Sequence, residues 1–299
     1  MSSMPSQDRK RKISWIDFIV VAVVIGFFVF IAQRISSVLV YKWDWSMVAP
    51  YIFYFDDDTG EWVANLLVQG LATTVRLALY GIVISALIGV IMGFCRTVNN
   101  LFLRMVARVY VEFIRNMPPI VFIFVFYFFI SSQIMPLLGV DDFARNASPA
   151  TLELIRFFAG DPLLFSNFIS GLICLAMFEG AYITEIVRAG IQSIPRGQWE
   201  AATSVGLSRF HVLRYVILPQ AVQRIVPPLA NQFINLIKDS SIVSLISIQE
   251  LTFMAVEVGV STTRVFEVWI ITAVFYFVIC YGCAYTFTRM ERRMRRSRR

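Results

Sequence analysis

Glu200, Ala201, Ala202 and Gly206 stand on a polar segment reading RGQWEAATSVGLSRFH, set between long apolar runs. An alanine pair beside a glutamate predicts a slim helix. Gly206 can close it in a left-handed cap, and Ser208 can cap the next helix. The chemistry offered is recognition: a small knob able to enter another protein's groove. Further on, Gln220, Arg224, Pro227, Asn231, Asn235 and Lys238 recur at steps of three and four, one polar stripe on a helix otherwise rich in Val, Ile, Leu and Phe. Such a stripe either lines a wet path or supplies interhelical hydrogen bonds. Pro227 and Pro228, which release backbone carbonyls at the same depth, favour the path.

Glu179 lies 14 residues past Phe165, about 21 Å along a helix rising 1.5 Å per residue. It is the most central carboxylate of the chain, and two readings stay open: it lines a path for a cationic group, or it is a structural carboxylate bonded to a neighbouring helix. Glu185 is about 240° further round and is expected to pair with Arg188 one turn away. Arg76 can snorkel towards a membrane surface. Cys280 and Cys283 form a C-x-x-C inside an apolar run, where small packing residues are the expected reading rather than a metal or redox pair. The four cysteines imply no disulfide framework, and the one histidine, His211, argues against a histidine-based site. No G-x-x-x-x-G-K-[ST] loop is present to hold phosphates, so no ATP chemistry of the chain's own and no cofactor are expected.

The elements that must carry these residues are membrane helices. Of the 299 residues, 58% are hydrophobic and 16% charged, against about a quarter charged in soluble domains. Apolar runs at 13–33, 64–94, 106–130, 165–191, 213–237 and 265–288 predict an all-α polytopic bundle of six transmembrane helices. The net charge of +7 sits largely in basic runs at the two ends, flanking membrane segments, which reads as orientation rather than nucleic-acid binding. Arg96, Arg104, Arg108, Arg196 and Arg209 fall in loops assigned to the inside. Asp141, Asp142, Glu153, Asp161, Glu250 and Glu257 fall in loops assigned to the outside, with only Lys42, Arg145, Arg156 and Arg264 as positive residues there. Both termini are therefore expected in the cytoplasm.

The expected organisation is a basic N-terminus at 1–12, an extra helix at 13–40, an external loop at 41–63, a transmembrane domain at 64–289 with an internal loop at 192–212, and a basic tail at 290–299. Two long connections, 131–164 and 192–212, read as functional. The first holds a short amphipathic piece at 151–158.

The run E-A-A, three residues, G, nine residues and a branched residue before L-P resembles the coupling loop of binding-protein-dependent ATP-binding-cassette importer permeases. Here it is Glu200, Ala201, Ala202, Gly206, Val216, Leu218 and Pro219, with valine where isoleucine is usual. The segments YVEFIRNMPPIVFIF, FEGAYITEIVRAGIQSIPRGQWEAA and PLANQFINLIKDSSIVSLI resemble the polar amino acid branch, and the likeness covers about 66–289. Arg115, Asn116, Pro118 and Pro119 resemble that family's R-[GN]-x-P break, with Met117 where threonine is common.

The resemblance implies a five-helix permease core plus one N-terminal helix. It also implies a permease partner of the same or a related chain, a cytoplasmic ATPase dimer docked on Glu200 to Gly206, and an extracytoplasmic amino-acid-binding protein. The cargo so implied is glutamate, glutamine, aspartate or a basic amino acid. An opine or other small nitrogen compound is the alternative cargo. An ion-coupled secondary transporter is the alternative class, for which an inverted repeat is looked for and not found.

Overall fold

The computed structural model describes residues 15–38 and 41–296. The basic segment at 1–12, the start of the first apolar run and the last residues of the tail lie outside them. The chain divides into two compact units, Met1–Asp44 and Trp45–Arg299. In the first, α1 (Trp15–Val38) exposes its apolar side chains from Trp15 to Ile31 on every side, as expected of a helix whose surroundings are themselves apolar.

The second unit opens with a feature absent from the sequence reading of 41–63 as plain loop. Strands β1 (Phe53–Asp56) and β2 (Glu61–Ala64) pair antiparallel, Phe53 opposite Ala64 and Asp56 opposite Glu61. Aromatic residues favour extended backbone. Asp56 closes the turn, accepting from the Asp58 N–H at 3.1 Å and from the Thr59 hydroxyl at 3.0 Å. The fold class is thus all-α apart from one hairpin.

The remaining helices are α2 (Leu66–Cys95), α3 (Leu101–Arg115), α4 (Pro119–Val125), α5 (Ser132–Leu137), α6 (Val140–Arg145), α7 (Pro149–Ala159), α8 (Phe165–Gln192), α9 (Arg196–Ser204), α10 (Arg209–His211), α11 (Leu218–Asp239), α12 (Leu251–Thr262) and α13 (Val265–Arg296). Among the described residues four stretches are long and apolar enough to cross a membrane: Leu66–Cys95, Pro119–Leu137, Pro162–Gln192 and Val265–Arg293. A fifth is counted if Arg209–Ile246 and Leu251–Thr262, bent by 53°, form one span. The described residues therefore give four or five spans. α1 runs 24 residues, Trp15–Val38, of which Trp15–Ile31 is the apolar stretch among the described residues. The run at 106–130 is not one helix, because α3 ends at Arg115 and α4 begins at Pro119. A proline at the first helical position starts a helix readily and cannot continue one.

α8 is the central element, packed against α2, α3 and α11. The buried face of α2 consists mainly of small residues, Gly70, Thr74, Ala78, Gly81, Ser85, Gly89 and Gly93, whereas Leu79, Val83, Leu87 and Ile91 point outwards. That inversion is what a lipid surround selects, since apolar side chains gain nothing by leaving it and close helix approach supplies the attraction. A Cβ on Gly89 would stand 2.4 Å from Ile183 Cγ2 on α8. No other residue fits there without moving one of the two helices.

Glu250, read from sequence as an external loop charge, is fully buried. It caps α12 by accepting from the Phe253 N–H at 2.9 Å, and it also accepts from Thr74 at 3.2 Å and from Tyr276 at 2.8 Å. One carboxylate thereby joins α2, α12 and α13.

Candidate functional site

The segment after α8 forms the expected knob. α9 buries only Ala202, which packs with Ile191, Ile194, Val212, Ile217 and Ala221. Glu200 and Ala201, the two residues before the packed position, are exposed. Gly206 adopts φ +84°, and its N–H reaches the Thr203 carbonyl at 2.9 Å while the Leu207 N–H reaches that of Ala202 at 3.4 Å. Those bonds satisfy carbonyls left open at a helix end. Ser208 then caps α10, its hydroxyl 2.6 Å from His211 Nδ1, and the imidazole stacks on Tyr215 at 5.6 Å. The one histidine is therefore engaged in a cap.

Leu218 and Pro219 open α11 after a π turn at Val212–Ile217. Pro219 has no N–H for the preceding turn and its ring crowds the carbonyl there, so widening the helix by a residue accommodates it.

Two bonds tie the knob to the stripe. Gln220 donates to Gln198 on α9 at 3.1 Å and to the Val216 carbonyl at 2.7 Å. Arg224 donates to the Ser193 carbonyl at 2.5 Å, just past the end of α8. Arg224, Asn231, Asn235 and Lys238 share the exposed side of α11, yet they do not converge on one cavity. Arg224 faces a cavity of about 490 Å³ with Arg115, Tyr182, Glu185 and Gln232. Asn231 and Pro227 face another of about 510 Å³, walled by α2 and α13.

Glu179 is fully buried. One carboxylate oxygen accepts from the Gln232 amide, and Oε1 has no hydrogen-bond partner. Sequence reasoning passed over Gln232, although a carboxamide on a membrane helix one residue beyond the stripe was a signal for it.

Glu185 pairs with Arg188 as expected, at 2.7 Å to Nη2 and 2.9 Å to Nε. It also binds Arg96 at the end of α2, and Arg115 Nη1 lies 4.0 Å away. Arg115 stacks over the Tyr182 ring at 5.3 Å, which places the break between α3 and α4 against α8. The sequence places Arg96 only as a loop charge. Cys280 and Cys283 are free and pack near Leu236 and Ile237.

Apolar spans around a helix bearing buried polar groups, with a capped knob tied to the polar stripe, define a helical membrane transport protein. The chain belongs to the family described as binding-protein-dependent transport system inner membrane component, whose model matches residues 85–296. It is similar to the "Glutamine transport system permease protein GlnP" of Escherichia coli (strain K12), 33% identical over 254 residues, 85% of this chain and 99% of the relative. It is 31% identical over 253 residues to the "Glutamate/aspartate import permease protein GltJ" of the same strain, covering 85% and 95%. Among solved structures, a chain of an "amino acid ABC transporter with histidines" matches with a TM-score of 0.65 and 30% identity, covering 85% of this chain and all of the other.

Proposed function

We propose that this chain, in the bacterial cytoplasmic membrane with both ends inside, imports a polar amino acid under the drive of a separate ATPase dimer. It works beside a second permease copy or paralogue, and an extracytoplasmic binding protein delivers the cargo. Glutamine, glutamate, aspartate and basic amino acids are the candidate cargoes, the first three because permeases of this likeness carry those names.

The observation that carries the proposal is the tethered knob. α9 presents Glu200 and Ala201 outwards, Gly206 fixes the turn, and Gln198 and Ser193 bind Gln220 and Arg224 of α11. Movement of a partner gripping the knob is thereby delivered to the helix that bears Asn231 and Asn235. ATP binding favours one arrangement of the ATPases over the other, and that difference is the drive for alternating access. Glu179, at membrane depth and with one oxygen unpartnered, stands beside this path, where a cationic cargo gains most from a carboxylate.

The test is to purify the chain from its native host in mild detergent and assay ATP hydrolysis and uptake with and without Gly206→Asp. A co-purifying ATPase lost on that substitution, with normal membrane insertion, is the expected result. A chain that purifies alone and takes up amino acids on an ion gradient overturns the reading.

A further inference from the structure

A cavity of about 600 Å³ lies at the end of the bundle opposite the knob, between the first half of α2, the end of α7, the start of α8 and the bend before α12. Its walls carry two guanidinium groups, Arg76 and Arg156, one carboxylate, Asp161, and three carboxamides, Gln69, Asn167 and Gln249. Arg76 stands ten residues into α2, about 15 Å along its axis. A cation at that depth requires water or a counter-ion. Among the described residues neither arginine makes an ion pair with a protein carboxylate. Arg76 Nη1 instead lies 3.8 Å from where a Cβ on Gly160 would stand, and Gly160 is the residue that closes α7. The neighbouring Asp161 uses Oδ1 to accept from the Leu163 N–H at 2.9 Å, which holds its carboxylate at the rim. Ser247 in the same wall has φ +61°, a conformation uncommon for a residue with a Cβ and one that marks a backbone held in place by its surroundings.

We infer that this cavity is a recognition site for a small zwitterion, an α-amino acid with a polar side chain. Arg76 and Arg156 take the carboxylate, for which planar guanidinium groups provide paired donors. Asp161 takes the ammonium group, and the carboxamides offer both donors and acceptors to the side chain. The inference rests on the proposed import of amino acids, and it adds a site on the outer side where cargo is met before it reaches α11. Anionic lipid headgroups present similar oxygens to arginine, but they carry no need for the carboxamide wall or for a carboxylate at the rim.

The experiment uses the full chain in phosphatidylcholine nanodiscs with radiolabelled L-glutamine, L-glutamate and L-glutaminamide, the last lacking the α-carboxylate. The expected result is saturable binding of at least one of the two carboxylates and none of the amide. Arg156→Gln, an exposed position on α7, is expected to weaken binding by about tenfold or more, the scale of one charge-assisted hydrogen bond, with Arg156→Lys intermediate. Binding unchanged in Arg76→Gln and Arg156→Gln, equal binding of the amide, or no binding at all overturns the inference. So does displacement of the amino acid by phosphatidylglycerol nanodiscs, which would assign the arginines to lipid. ATP-driven uptake by the assembled transporter separates the two readings. Uptake unchanged by both substitutions leaves the importer and removes the site, whereas binding without any ATP-driven uptake leaves the site and removes the importer.

Discussion

Gln232 on α11 donates to Glu179 on α8, and Asp239, the last residue of α11, faces the same carboxylate. Removing a partner from a buried polar group costs about 1–3 kcal/mol. Gln232→Leu is therefore expected to lower the unfolding temperature in detergent clearly, whereas Glu179→Gln, which keeps an amide oxygen in place, lowers it less. Equal losses would show that the carboxylate is held by something other than Gln232.

Gly206 meets nothing within 4 Å of a Cβ position, so a substitution there is strained by backbone conformation alone. Left-handed backbone costs a residue with a Cβ about 1–2 kcal/mol, and asparagine tolerates it best. Uptake is expected to fall in the order glycine, asparagine, valine at constant membrane content. Identical uptake in the valine variant would mean that the turn at α9 plays no part in coupling.

Arg96 and Glu185 join α2 to α8, whereas Arg188 and Glu185 belong to one helix. The side chains are only 17% and 18% exposed in the first pair, so screening is weaker there than at a free surface. A double-mutant cycle on thermal stability with Arg96→Gln and Glu185→Gln is expected to give a coupling of about 1–2 kcal/mol, larger than the cycle with Arg188→Gln. The reverse order would mean that the interhelical pair is not formed in the membrane.

Gly89→Ala is expected to destabilise the bundle, because the added methyl stands against Ile183. Overpacking of this kind costs about 1–3 kcal/mol. Ile183→Gly in the same chain removes both the Cγ2 at 2.4 Å and the Cβ at 2.6 Å and restores part of the loss, measurable as recovery of the unfolding midpoint. A double variant weaker than the sum of the singles would locate the damage elsewhere on α8.

What could be read in advance was local. The knob follows from Glu200, Ala201, Ala202, Gly206 and Ser208 within nine residues, and the Glu185–Arg188 pair from one turn of helix. The polar stripe of α11 also follows from its period, though the partners of each residue do not. Contacts set by tertiary packing were out of reach. Arg96 meets Glu185 across 89 residues, Glu179 meets Gln232 across 53, and Thr74 meets Glu250 across 176. Hydropathy alone runs through the break at Arg115–Pro119, because the apolar face of α3 (Val106, Val109, Val111, Phe113, Ile114) leads into the wholly apolar α4, although the charges of α3 and Pro118 and Pro119 mark it. The same measure misses the hairpin, whose strands Phe53–Asp56 and Glu61–Ala64 are four residues each and show no alternation of burial.

The small-residue face of α2 has a thermal consequence. Where large side chains stay in an apolar surround on both sides of folding, joining α2 to α8 removes little apolar surface from water, so the heat-capacity change that curves the stability of soluble domains is largely missing. Contact between these two helices rests on dispersion and short-range fit, which weaken steadily on warming. The pair therefore has no cold-labile side, and its firmest state is at the lowest temperature at which the bilayer remains fluid.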